Sequence, residues 1–117
     1  MARGLLELLT TEPRSSDQLS FADLTINEHT FEVWRNDTPI YLSQTEFRLL
    51  SYLIRYPNAI LSKSRIRETV WHGRAATLNL VEAYVSLLRK KIDTIGPPLI
   101  HTVRGVGYTL RLPFAAP

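Results

Sequence analysis

The sequence predicts an α+β domain in which a small antiparallel sheet is followed by three helices and a closing β-hairpin. Three observations predict this class. Short β-prone runs separated by turn residues fill positions 19–42. Positions 43–92 contain polar helix starts followed by apolar residues at helical spacing. Two further β-prone runs meet at a glycine-rich turn, Gly105-Val106-Gly107.

Strands are expected in three runs of the amino-terminal half: Leu19 to Ile26, Thr30 to Arg35, and Ile40 to Leu42. Asn27-Glu28-His29 and Asn36-Asp37-Thr38-Pro39 separate these runs with turn-forming residues. The two tryptophans, Trp34 and Trp71, are assigned to the core. Together the runs favour a small antiparallel sheet.

The first helix has a clear start, because Ser43-Gln44-Thr45-Glu46 fits a capping box. A second helix is expected from Ser62 to Trp71, and Gly96-Pro97-Pro98 ends a third that spans about Leu78 to Ile92. One side of the third helix is apolar: Val81, Val85, Leu88 and Ile92. Its opposite side centres on Asn79, Ala83, Ser86 and Lys90, with Glu82 and Arg89 on one edge and Leu87 on the other.

Charge is unevenly distributed along the chain. Residues 1–61 contain five Lys/Arg and eight Asp/Glu, whereas residues 62–117 contain nine Lys/Arg and three Asp/Glu. The basic half includes Arg89-Lys90-Lys91 at a helix end and Arg104 in the closing hairpin. A helix fits the major groove of DNA, and a hairpin arginine can reach the neighbouring minor groove. The pattern therefore favours DNA binding, with a merely solvated charged surface as the alternative.

Several other classes of function are disfavoured. The chain has no cysteine, which excludes a disulfide framework and thiolate chemistry. His29, His72 and His101 lack the paired spacing of a metal site, so we expect neither metal nor cofactor. Capping explains Ser43 beside Glu46, and we expect no enzyme activity. No apolar run approaches the ~20 residues that span a bilayer, so a cytoplasmic protein without a membrane partner is expected.

Four ordered motifs carry a family resemblance: Leu42-Ser43-Gln44-Thr45-Glu46-Phe47-x-Leu49-Leu50, Leu61-Ser62-Lys63, Val81-Glu82-x-Tyr84-Val85-x-x-Leu88-Arg89-Lys90-Lys91-Ile92 and Ile100-x-Thr102-Val103-Arg104-Gly105-x-Gly107-Tyr108. Over about residues 19–112, the chain resembles the winged-helix DNA-binding domain of OmpR/PhoB-type response regulators. The resemblance implies a winged helix-turn-helix with an amino-terminal antiparallel four-stranded sheet, three helices and a carboxy-terminal hairpin called the wing.

The resemblance also implies a function and its partners. Such domains bind double-stranded DNA in a sequence-specific way to regulate transcription, and we expect a monomer that dimerises on repeated half-sites. The loop before the third helix commonly contacts RNA polymerase; here it comprises His72, Gly73, Arg74, Ala75, Ala76 and Thr77. Family members usually carry a receiver domain that a sensor kinase phosphorylates. Residues 1–18 are interpreted as a linker or the remnant of such a domain, 19–113 as the winged helix and 114–117 as a tail, with a stand-alone regulator as the alternative.

Nine residues are candidates for DNA contact. Five face base edges: Asn79, Glu82, Ala83, Ser86 and Leu87. Four are expected at the DNA backbone or minor groove: Arg89, Lys90, Thr102 and Arg104.

Asparagine pairs with adenine, glutamate accepts from cytosine, and small or apolar groups contact the thymine methyl. Ser86 and Leu87 depart from the family, which commonly places arginines or other long polar groups there. We therefore expect backbone contacts and DNA shape to supply more of the affinity. Leu87 has three interpretations: a thymine contact, a contact with a second protomer, or an ordinary surface leucine.

Two alternative functions remain open from the residues alone. The first is a protein-interaction winged helix that docks polymerase or a receiver domain, because fold does not determine function. The second is an RNA-binding module, although the predicted sheet lacks a paired-aromatic platform.

Overall fold

A computed structural model describes residues 17–72 and 74–113. The helices are α1 (Gln44–Arg55), α2 (Lys63–Trp71) and α3 (Leu78–Ile92). The strands are β1 (Gln18–Phe21), β2 (Leu24–Asn27), β3 (Glu32–Arg35), β4 (Thr38–Pro39), β5 (Leu61–Ser62), β6 (Ile100–Val103) and β7 (Gly107–Leu110). The α+β class, the four-stranded amino-terminal sheet, the three helices and the closing hairpin are all confirmed. Most of the expected linker, Gly73 and the expected tail lie outside the described residues.

The amino-terminal sheet has the order β1-β2-β3-β4 and is antiparallel throughout. The run from Leu19 to Ile26, expected as one strand, is a hairpin, because the chain turns at Ala22 with a φ of 55°. Ile40 to Leu42 was wrongly expected as a strand. Pairing instead uses Thr38 and Pro39 at the sheet edge, where a proline that cannot donate is tolerated.

Trp34 was wrongly assigned to the core and is 39% exposed. Side chains alternate between the two faces of a strand. Because Val33 and Arg35 point inward from β3, Trp34 points outward. Trp71 is partly buried against the core and contacts Tyr84 edge-on, with 5.4 Å between ring centroids.

Each helix begins at a side-chain cap. The capping box of α1 is confirmed: the Glu46 amide donates to Ser43 Oγ at 3.2 Å, and the Ser43 amide donates to Glu46 Oε1 at 2.8 Å. Ser62 and Thr77 cap α2 and α3 through one hydrogen bond each, in which the hydroxyl accepts from the amides of Arg65 and Leu80. The three helices enclose one core, and none in the described part of the chain is long and apolar enough to cross a membrane.

An ion pair between a buried glutamate and an exposed lysine joins the start of α1 to the end of α3. The Glu46 side chain is 5% exposed, and Lys91 Nζ lies 2.7 Å from Glu46 Oε1. Burial by itself raises the pKa of the Glu46 carboxyl, but hydrogen bonds from Lys91 and Ser43 outweigh burial and lower the pKa overall. The Glu46 pKa is lower in the folded state than in the unfolded state. The pair therefore stabilises the fold fully when the pH is above the unfolded-state pKa of about 4.3. This stabilisation is lost as the pH falls through the pKa of the folded state.

Glu46→Gln is therefore expected to destabilise the domain near neutral pH and to do so less as the pH falls below about 4. The reason is that the wild-type carboxylate becomes protonated and neutral like the glutamine. Chemical denaturation at a series of pH values would measure this difference. Glu68→Gln, which removes a 64% exposed carboxylate, is the control and should show little dependence. A Glu46→Gln difference that is constant with pH would contradict the assignment.

The carboxy-terminal sheet has the order β5-β7-β6. Its turn consists of Arg104, Gly105 and Val106, and only Gly105 has the positive φ, 77°, that a tight turn requires. Gly107 was wrongly placed in the turn. It is the first residue of β7, and a Cβ there would lie 2.0 Å from the carbonyl oxygen of Leu61. The second glycine is needed because β5 approaches so closely.

Gly107→Ala is accordingly expected to lower the free energy of unfolding by about 3 kcal/mol, at the upper end for overpacking, because two backbones must move apart. Gly105→Ala is the matched control: its Cβ meets nothing within 4 Å, so only the backbone conformation costs energy, about 1 kcal/mol. Urea denaturation of both variants would test the ranking. A larger loss for Gly105→Ala than for Gly107→Ala would show that the turn conformation, and not the contact between β5 and β7, makes the greater demand for glycine in this hairpin.

Candidate nucleic-acid interface

The solvent-facing side of α3 presents the residues predicted to face bases. Asn79, Glu82, Ala83, Ser86 and Leu87 are all exposed, and so is Lys90. They are exposed because the opposite side of the same helix, Val81, Val85, Leu88 and Ile92, is packed in the core. The helical period thus leaves one continuous accessible side, which we call the α3 outer face.

Arg89 attaches the wing to α3. Its Nη2 donates to Thr102 Oγ1 at 2.5 Å, and its Nε donates to the Ile100 carbonyl at 3.3 Å. The guanidinium also stands over the Tyr108 ring, 5.4 Å from its centroid. Tyr108 itself is buried. Arg89 therefore holds β6 and β7 in a set position beside the α3 outer face.

These contacts leave both Arg89 and Thr102 able to bind phosphate. A guanidinium has five N–H donors, of which two are used within the protein. Thr102 is exposed, and its hydroxyl accepts from Arg89 while keeping its own proton to donate. The fold thus brings together Arg89 and Thr102, two of the residues predicted to contact the DNA backbone.

The wing turn borders a groove beside the starts of α2 and α3. Arg104 and Val106 line it from the wing, Lys63 from α2 and Leu78 from α3, around a volume of about 400 Å³. Arg104 is exposed, and among the described residues neither it nor the Lys90 ammonium takes part in an ion pair. Both cations are thus available to an external anion.

Glu82 is not a free acceptor, because it forms an ion pair with Lys63 that joins α3 to the start of α2. The hydrogen bond that the Lys63 ammonium donates to the Glu82 carboxylate raises the pKa of Lys63. Both side chains are more than one-third exposed, so solvent screens the pair and it contributes little to stability. Glu82 could exchange Lys63 for a cytosine amino group at small cost.

A buried polar cluster that was not predicted from the sequence holds the end of α3. Arg35, 3% exposed, donates from Nε to Asp23 Oδ1 at 3.0 Å and from Nη1 to the Ile92 carbonyl at 2.7 Å. Its Nη2 donates to the Pro97 carbonyl. One feature of the sequence could have predicted it. Arg35 follows Val33 by two positions in a strand, so both side chains point to the same, inward face.

Asp93 belongs to the same cluster and continues it to the wing. Its carboxylate oxygens accept from the amides of Leu99 at 3.0 Å and Ile100 at 3.2 Å, and it lies 3.9 Å from Arg35 Nη1. The cluster connects β3, the end of α3 and the start of β6. These residues orient the outer face and the wing without contributing to either surface.

Comparison with known proteins identifies the family. The family described as "Transcriptional regulatory protein, C terminal" matches residues 37–110. This chain belongs to that family. The resemblance to the effector domain of OmpR/PhoB-type response regulators is thereby confirmed.

Relatives of this effector domain include TrcR of Mycobacterium tuberculosis, 47% identical over 113 residues that cover 95% of this chain and 44% of that protein. The response regulator MprA of Mycolicibacterium vanbaalenii is 46% identical over 113 residues, 93% of this chain and 49% of that protein. The chain therefore spans about half the length of these curated relatives. Among solved structures, the DNA-binding domain of Klebsiella pneumoniae RstA in complex with the RstA box is similar with a TM-score of 0.70 and 26% identity, covering 80% of this chain and 96% of that one.

The α2–α3 loop of this effector domain is accessible over most of its length. His72 ends α2 in a left-handed conformation with a φ of 49°, and the Arg74 amide donates to the Trp71 carbonyl at 2.9 Å. His72, Arg74, Ala75 and Thr77 are exposed and Ala76 is half-buried, while Gly73 lies outside the described residues. Contact of this loop with RNA polymerase stays a prediction. No group of metal-ligating side chains occurs within residues 17–72 and 74–113.

Proposed function

We propose that this effector domain binds double-stranded DNA in a sequence-dependent way and regulates transcription as part of a two-component response regulator. The observation that carries the proposal is the attachment of the wing to α3 through Arg89, Thr102 and Tyr108. This attachment sets Arg104 of the wing beside the α3 outer face, and Lys90 lies in the last turn of α3 itself. Neither cation has a protein partner in the described structure. A helix in the major groove with a cationic wing beside it is a known geometry of DNA recognition.

Each candidate residue has a role in this proposal. Asn79, Glu82, Ala83, Ser86 and Leu87 read base edges from the α3 outer face. Arg89, Lys90 and Thr102 bind phosphates and set the register, and Arg104 binds phosphate or enters the minor groove. The outer face differentiates sequences, and the other four residues hold any duplex.

The proposal extends to partners. We infer a dimer on repeated half-sites, RNA polymerase at the loop from His72 to Thr77, and a sensor kinase that acts through a receiver domain outside residues 19–113. The name response regulator, given to a relative about twice as long as this chain, supports the receiver domain and the sensor kinase. The dimer and the polymerase contact rest on the family resemblance. A cytoplasmic location and the absence of a cofactor are part of the same proposal, and so is the interpretation of residues 1–18 as a linker or the remnant of a preceding receiver domain.

Salt dependence tests the DNA-binding step. Binding sites selected from a random duplex pool would be titrated with the protein by fluorescence anisotropy between 50 and 200 mM salt. Three cations on phosphates predict that the logarithm of affinity falls with the logarithm of salt with a slope of about −3 per protomer. Tighter binding to selected than to unrelated duplexes is also expected. Affinity that is independent of salt, or equal for the two kinds of duplex, would overturn the proposal.

A further inference from the structure

The cations of α3 are poorly placed to read guanine. Guanine is read in the major groove mainly by arginine or lysine. Arg89 is committed to the wing, and Lys91 Nζ donates to Glu46 and to the Tyr41 carbonyl. Lys90 lies in the last turn of the helix. The middle of the outer face therefore contains no free cation.

Two of the four side chains in the middle of the outer face are apolar. Ala83 and Leu87 are exposed, Ser86 contributes one hydroxyl, and Glu82 is paired with Lys63. Leu87 is 43% exposed, whereas Leu88 beside it is completely buried. The exposed part of Leu87 thus has no packing role in the folded domain, although a leucine costs solubility there.

We propose that Leu87, with Ala83 beside it, contacts the C5-methyl of thymine, and that the half-site read by α3 is consequently rich in A·T pairs. This inference rests on the proposed function and specifies its DNA sequence class. Thymine alone among the four bases presents a methyl group in the major groove. At a G·C pair, Leu87 would cover polar atoms that it cannot bond, and an uncompensated buried polar group is costly.

Uracil substitution tests the contact directly. After selection of sites from a random duplex pool, each thymine of a single half-site would be replaced in turn by uracil, which lacks only the methyl. Removing one methyl from an apolar contact is expected to weaken binding about fourfold at the position opposite Leu87, and little elsewhere. The selected sequences themselves should have A·T pairs at the positions that α3 covers.

Leu87→Ala assigns the effect to one side chain. The variant should bind the thymine and uracil duplexes almost equally, because the larger of the methyl's two apolar partners is gone and only Ala83 remains. Ile95→Ala is a matched control, since Ile95 is also 43% exposed and follows α3 outside the proposed interface. It should retain the fourfold difference. Circular dichroism melting of both variants checks that neither change alters the fold.

The outcomes separate this inference from the proposed function. If the wild-type domain did not bind duplex DNA in a salt-dependent way, the proposed function itself would be overturned. Normal duplex binding with guanine selected opposite α3, or without any uracil effect, would overturn the inference alone. If Leu87→Ala weakened binding only to duplexes with two half-sites and left the thymine preference intact, Leu87 would be a protomer contact and the inference would be wrong.

Discussion

Replacing Arg35 by alanine is expected to lower the free energy of unfolding by about 3–5 kcal/mol, the loss typical of breaking a buried ion pair. The variant leaves the Ile92 and Pro97 carbonyls and the Asp23 carboxylate without their guanidinium donor. For a domain of this size, such a loss is a large part of the total stability. Urea denaturation followed by circular dichroism would measure it.

Two variants make the Arg35 result specific. Arg35→Lys keeps the charge but cannot reach three acceptors in a plane as the guanidinium does, so it should restore only part of the stability. Arg111→Ala removes an exposed arginine and should change the free energy of unfolding by less than about 0.5 kcal/mol. Equal stability of Arg35→Ala and Arg111→Ala would show that the cluster does not hold α3 to the sheet.

Removing the two unpartnered cations is expected to produce the largest loss of DNA binding. If Lys90 and Arg104 each neutralise one phosphate, the double variant Lys90→Ala/Arg104→Ala should bind every duplex about 60-fold more weakly at 0.1 M salt. The slope of affinity against salt should also become shallower by about 2. Anisotropy titrations on a selected site and on an unrelated duplex would measure both quantities.

The outer face should behave differently from the cations. Asn79→Ala or Glu82→Ala is expected to change which sequences are preferred, while affinity for an unrelated duplex stays nearly constant. Arg55→Ala, which removes a cation of α1 that is paired with Glu28, serves as a charge control and should have an effect of less than about twofold. Equal losses on all duplexes from the Asn79, Glu82, Lys90 and Arg104 variants would contradict the separation into reading and anchoring residues.

The third helix was the most predictable element. Its bounds, its buried side and its exposed candidates all followed from the spacing of Val81, Val85, Leu88 and Ile92. The strands were less predictable. The turn at Ala22 contains no glycine or proline, and pairing of Pro39 depends on where β3 places its partner. Strand pairing is determined by neighbours that a local pattern does not include.

By itself the sequence determined the capping of α1, the two sides of α3, the charge of the wing and the family, because these depend on residue types within a few positions of one another. Only the tertiary structure decided which polar groups are free. The Arg89 partners lie 11 and 13 positions away, and the Arg35 carbonyl partners lie 57 and 62 positions away. It also decided why Gly107 is a glycine, since the atom that excludes a Cβ belongs to Leu61. Contacts between elements far apart in the chain arise only when the elements pack, and they leave Lys90, Arg104 and Leu87 without protein partners for their outer atoms in the described part of the chain.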